Sequence, residues 1–181
     1  MKKLLIFIAI VVLAPLIAGL YGILHDQITY TISPEYYTRF KFYQFGLVDE
    51  GIQGPIDSPR IAVSVVGLLA TWWMGLIIGP ILGLVSVGYL TPNRMFPTTC
   101  RAFLVTIFVA LGTGLLGLIF GWFFYNSESS WQFSDEVVDR ASFFVVGSMH
   151  SFSYAGGFLG LVVGMIYIKK QRQKYQSILS D

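Results

Sequence analysis

The chain has 181 residues, of which 55% are apolar and only 12% charged, about half the charged share of a soluble domain. With a mean hydropathy of +0.67, these values exclude a disordered chain, a coiled coil and an ordinary soluble enzyme. A net charge of +2 gives no case for a nucleic-acid partner, and a single cysteine, Cys100, excludes an internal disulfide and a cysteine-based metal motif.

Four apolar runs follow in chain order, at about 4–24, 61–90, 102–125 and 141–168. Each is long enough for a helix to cross about 30 Å of hydrocarbon, and none has an ionisable residue at its centre. The expected fold is an all-α membrane protein: a four-helix transmembrane bundle with a short extracytoplasmic cap over residues 25–60 and a basic tail over 169–181. The bilayer is its first partner, and other membrane subunits or a second copy are further ones. Residues 1–19 also fit a cleaved signal peptide. Against this, Leu16 is a poor cleavage-site residue and the apolar run continues to Leu24.

Charge placement gives the orientation. Lys2, Lys3, Arg94, Arg101, Lys169, Lys170, Arg172 and Lys174 lie in the terminal segments and second loop. Nine of the 10 acidic residues lie in the first and third loops. The positive-inside rule then puts both termini in the cytoplasm. The tail reads as a topology anchor that also attracts anionic lipid. Cys100, beside Arg101 at the cytoplasmic edge, reads as a reduced thiol, with palmitoylation as an alternative.

Most of the glycines lie inside the apolar runs at helical spacing. Ala14, Ala18 and Gly22 mark one face of the first run, and Gly67, Thr71, Gly75, Gly79 and Gly83 one of the second. Thr106, Ala110, Gly114, Gly117 and Gly121 mark the third, and Ser153, Gly157, Gly160 and Gly164 the fourth. Steps of three and four keep each set on one face. In lipid, small residues let backbones approach, so these stripes are read as helix contact faces. Pro15 and Pro80 are expected to bend their helices.

The cap segment opens with Gln27 to Ile32, whose partial alternation suggests a short strand or an extended link. Ser33, Pro34 and Glu35 then form a helix start, followed by an aromatic stretch, Phe40, Phe42, Tyr43 and Phe45, that Gly46 can end. Gly51, Gly54, Pro55 and Pro59 mark a loop. The surplus length of the second and fourth runs, near 61–70 and 141–147, is expected to pack against the aromatic helix, and Trp72 and Trp73 to lie in the outer interfacial belt. Glu35 either serves as a helix-dipole partner for its own first turn or reaches toward the histidines.

The two histidines carry the functional expectation. At about 1.5 Å per residue, His25 lies roughly 33 Å from Lys3 and His150 roughly 29 Å from Lys169, so both sit near the outer boundary. Each also continues the small-residue face of its helix. Asp26 adjoins the first, and Ser148, Ser151 and Tyr154 surround the second. Two imidazoles and a carboxylate can hold a divalent metal or handle a proton; a structural hydrogen bond between helix ends is the plain alternative. The candidate ligand-binding or proton-handling residues are His25, Asp26, Glu35, His150 and Tyr154, with His25, Asp26 and His150 as metal ligands.

The run from His25 to Tyr37, with its Ser-Pro-Glu-Tyr core, resembles a segment of uncharacterised bacterial membrane proteins with about four spans. The resemblance implies a bacterial inner membrane and supplies no activity. The functional expectation is a non-catalytic membrane protein that binds a metal ion or proton at its outer face, as an accessory subunit of a membrane complex. The alternatives are a small-solute transporter or channel, and a membrane enzyme using a metal or a haem held between the histidines.

Overall fold

The structure, a computed structural model, describes residues 1–48, 57–126 and 136–180, the last seven of these as helix backbone only. Four long helices dominate: α1 (Lys2–Ile32), α4 (Pro59–Tyr89), α5 (Pro92–Phe124) and α6 (Arg140–Ser180). All four are long and apolar enough to cross a membrane, and no strand occurs among the described residues. The chain is an all-α four-helix bundle and a multi-pass membrane protein.

Packing follows the small-residue stripes. The helices form two intimate pairs, α1 with α4 and α5 with α6. A Cβ added to Gly67 would stand 2.6 Å from the Gly22 carbonyl carbon, and one on Gly75 2.5 Å from Pro15 Cα. Gly79 and Gly83 continue this seam against Ala14 and Phe7. In the second pair Gly117 faces Phe152, Gly121 lies against Val145 Cα, and Gly160 and Gly164 meet Thr106. Gly157 instead touches Met74, across the interface between the pairs. Lipid is as apolar as leucine, so backbone proximity and hydrogen bonds hold the helices, not burial as such. Thr71 Oγ1 donates to Ala18 O at 2.8 Å and Thr106 Oγ1 to Gly160 O at 3.0 Å. At the opposite end from the cap, Ser86 and Thr99 hydroxyls meet at 2.6 Å and Lys3 Nζ donates to Val87 O.

Residues 27–32 are the first departure from the sequence reading. They continue α1 as helix, so the cap begins at Ser33. Partners on α4 favour the helical path. Gln27 Nε2 donates to Arg60 O at 2.8 Å, Arg60 Nη1 donates back to Gln27 O at 3.1 Å, and Arg60 Nη2 reaches Thr31 Oγ1. These contacts need residues 27 and 31 on one face, which helical spacing supplies and alternation does not.

The cap itself is a short helix broken in the middle. Ser33 caps α2 (Pro34–Tyr36), accepting from Tyr36 N, with Pro34 in the first turn. A π-helical turn, Tyr37–Lys41, joins it to α3 (Phe42–Gln44). Gly46, at φ +66°, then ends the helix: its N–H reaches Tyr43 O while Leu47 N–H reaches Phe42 O, the paired closure that a left-handed residue permits. The aromatic face packs on Val63 and Val66 of α4 and on Phe143 and Val146 of α6, as their surplus length suggested. Of the loop residues, Gly51, Gly54 and Pro55 lie outside the described residues, while Pro59 opens α4.

Gly67 and Gly112 give a paired test. Nothing lies within 4 Å of a Cβ at Gly112. Gly67→Ala is expected to lower stability by about 1–3 kcal/mol through overpacking, and Gly112→Ala to leave it level or slightly raised. Thermal unfolding in one detergent measures both.

Candidate metal centre

Near the cap, α1 and α6 bring His25, Asp26 and His150 together. All three are buried, at 5%, 2% and 6% exposure, although their helices otherwise barely touch. The imidazoles meet edge to face, ring centres 4.8 Å apart. Asp26 Oδ1 lies 3.2 Å from His25 Nδ1 and 3.2 Å from His150 Nε2. One ligand atom from each of the three residues can be chosen so that all lie within 4.8 Å of one another.

The outer partners fix ring orientation. His150 Nδ1 is 2.9 Å from Val146 O. A carbonyl only accepts, so this nitrogen carries its hydrogen, and Nε2 is the one that faces the carboxylate. That contact needs a proton between nitrogen and oxygen, or a cation serving both. His25 Nε2 lies 3.2 Å from Ser153 Oγ, leaving Nδ1 for Asp26. In metal sites a ligating histidine usually has its other nitrogen tied to a backbone carbonyl or other polar group, which fixes the ring. The other carboxylate oxygen, Asp26 Oδ2, is buried without a hydrogen-bond partner, as is Tyr21 Oη nearby.

Metal geometry can be compared directly. Tetrahedral bonds of about 2.0–2.1 Å imply ligand–ligand edges of about 3.3 Å. The two nitrogen–oxygen edges are 3.2 Å. The donor set, two imidazoles and a carboxylate, suits a divalent transition ion and leaves further positions open. A haem fits poorly, because Asp26 already fills the space between the rings that a macrocycle needs.

The cap seals this cluster from one end. Tyr36 stacks on His150, with ring centres 5.0 Å apart, and Tyr37 Oη meets Thr29 Oγ1 at 2.5 Å. Burial pushes both phenols well above their ordinary range, and the charge of Asp26 adds to this. Lys41, 6% exposed, is boxed by the rings of Tyr36, Phe40 and Phe45 and donates to Gln44 Oε1 at 3.0 Å. Its burial lowers the ammonium pKa, and attraction from Asp26 opposes that fall.

Tyr154 stands beside the cluster, its Oη donating to Ala70 O at 3.1 Å and its ring stacked on Trp73. Glu35 does not join it. Its carboxylate accepts from Asp139 N at 2.7 Å and Val138 N at 3.3 Å. It therefore serves the dipole of α6, a distant helix, and not its own first turn. Asp139 caps the same helix, and the Ser142 N–H bound to it holds its carboxyl below the usual range. Arg39 and Glu136 make a second tie at 2.6 Å. Ser151 is exposed and bonds Gly147 of its own helix, away from the site.

The sequence reading missed Tyr21, Ser153 as a polar partner, and Lys41. Tyr21 and His25 are one helical turn apart, a spacing that could have found the tyrosine. In sequence Ser153 reads only as a small residue on its helix's contact face. Nothing in the local pattern marks Lys41 as buried. Comparison of the chain with protein-family models, curated proteins and solved structures finds no match in any of the three.

Lys41 supplies a pH test. A lysine whose folded pKa is lowered costs stability at neutral pH. That cost fades as pH rises from the lowered value toward the ordinary 10.5, because over that interval the unfolded chain holds more protons. Lys41→Met is expected to unfold at a higher temperature than wild type at pH 7. The gap should narrow steadily in melts taken up to pH 10.

Proposed function

We propose that the protein is a non-catalytic, membrane-embedded site for one divalent transition-metal ion. His25 Nδ1, His150 Nε2 and Asp26 are the ligands, and the cluster faces the extracytoplasmic side of a bacterial inner membrane. The carrying observation is the single carboxylate oxygen equidistant from two buried imidazole nitrogens on different helices. Location in the inner membrane rests on the resemblance of the His25–Tyr37 segment, and orientation on the distribution of Lys and Arg.

Chemistry supports a cation over a purely structural hydrogen bond. With its Nδ1 hydrogen bound to Val146 O, His150 Nε2 meets Asp26 Oδ1 across one shared proton when no metal is bound. The metal-free cluster is then two imidazoles and a carboxyl group that share this proton, with no net charge. A divalent ion would displace the His150 Nε2 proton to solvent and shift the His25 proton from Nδ1 to Nε2, where Ser153 Oγ can accept it. Metal and proton thus compete for one set of lone pairs, and affinity falls as pH falls.

Purified wild type is expected to retain about one equivalent of a transition metal by elemental analysis, and the His25→Ala, His150→Ala double variant none. Metal released by the wild type should increase as pH is lowered, because protons compete with the metal for the ligand lone pairs. Equal, near-zero metal in both proteins after growth and dialysis with zinc, copper or iron would defeat the reading.

A further inference from the structure

The histidine cluster is one end of a larger cavity to which all four long helices contribute. Its polar wall is Tyr21, His25, Asp26, His150, Ser153 and Tyr154. The remainder is nearly all apolar, with Met74, Ile78, Phe103 and Ile107 prominent. A metal ion uses only the polar wall, so the apolar part has no role in the metal reading.

The cavity is closed on three sides. Over the cluster lie Tyr36, Tyr37 and Phe42, each at most 5% exposed. Between α4 and α6, Tyr154 is tied to Ala70 O and stacked on Trp73. Within each helix pair the small-residue seams leave no gap. The fourth side, between α1 and α5, differs. No small-residue seam joins these helices, and a second cavity runs along their interface from Ile10 to Cys100, sharing Ile17 and Phe103 with the first. Outward-facing residues beside this cleft, Leu13, Leu16 and Leu104, are exposed hydrophobics, which in a membrane helix face lipid. The opening therefore leads to the bilayer and not to water.

Two buried polar atoms at the inner end make no hydrogen bond of ordinary length, and their needs are complementary. Tyr21 Oη can donate, and Asp26 Oδ2 can only accept while ionised. A hydroxyl is the smallest group that accepts from one and donates to the other. A carboxylate head would set a second negative charge against Asp26 in a low dielectric. A hydrocarbon without a head would leave both atoms unpaired, which is costly at such a site.

We propose that this cavity binds a membrane-dissolved molecule with a neutral hydroxyl head and an apolar tail. It enters between α1 and α5, and its head reaches Tyr21 and Asp26 while its tail lies along Ile17, Phe103 and Ile107. The shared chemistry has two membrane sources, a hydroquinone and a glyceride. The site is assigned independently of the cation.

Binding is measured on the full chain in nanodiscs, with metal removed by EDTA, using a decyl-substituted benzohydroquinone in one arm and 1-monoolein in the other. At least one is expected to bind saturably at one per protein, and which one names the source. The dimethyl ether of the hydroquinone, or the diacetate of monoolein, should bind roughly tenfold more weakly, as loss of one buried hydrogen bond implies. Tyr21→Phe should weaken the binding probe to a similar degree while its metal content stays at the wild-type level. Ile107→Trp, which fills the half-buried mouth, should abolish saturable binding. The proposal is overturned if neither probe binds saturably. It is equally overturned if the capped and hydroxyl forms bind alike, or if Ile107→Trp binds as wild type does. None of these readouts uses metal, so failure of the metal reading leaves this one standing, and the reverse also holds.

Discussion

Everything distinctive in this molecule depends on one carboxylate shared between two rings. Asp26 comes from the first long helix and His150 from the last, so the contact forms only when the ends of the chain's membrane region are side by side. Elsewhere α1 and α6 hardly meet. The bundle must therefore be assembled by other forces that bring this pair of side chains into register. In an apolar setting an unpaired carboxylate is strongly disfavoured, so the bundle can hold Asp26 ionised only while the imidazoles, or a cation between them, remain in place.

Those other forces act at two levels. Within the pairs α1/α4 and α5/α6, glycines put backbone against backbone, and threonine hydroxyls bond across the seam. Such packing is rigid, because displacement by even a methyl group meets main chain. Between the pairs the contacts are side chain on side chain, through Met74, Phe103, Leu161 and their neighbours. Rigid pairs joined by a softer interface leave space along the joint, and the cavity lies there. The cap is fastened to the segment leading into α6 by Glu35 and Arg39 and closes that joint at the histidine end. The same ties place Tyr36 on His150.

The fold and the core of the site could be read from the residues because membrane helices obey two strong constraints, length and facing. Span length set the depth of His25 and His150. The steps of three and four from Gly22 and from Ser153 set their direction. Both inferences needed only helix geometry. The readings that failed depended on tertiary partners. Partial alternation at 27–32 suggested a strand because the side chains that make it helical, Arg60 and Ser64, lie on another helix. Glu35 caps a helix that begins about a hundred positions later, which no local pattern announces. Lys41 is buried because a π-helical turn rotates it under Tyr36. A charged residue in a cap segment carries no mark of that in sequence.

A single carboxylate that serves both readings ties them together. Oδ1 faces the imidazoles and Oδ2 makes no hydrogen bond of ordinary length, so a cation and a hydroxyl head would use different oxygens of one delocalised charge. A bound cation draws that charge toward Oδ1 and makes Oδ2 a poorer acceptor. The hydroxyl, by donating to Oδ2, makes Oδ1 a poorer ligand. Linkage requires the two effects to be equal in free energy, so each occupant would weaken the other by the same factor. Such opposition also needs no conformational change, since the coupling passes through one carboxyl group and not through the helices. The buried Asp26 would then relate the occupancy of a polar site under the cap to that of an apolar one open to the bilayer.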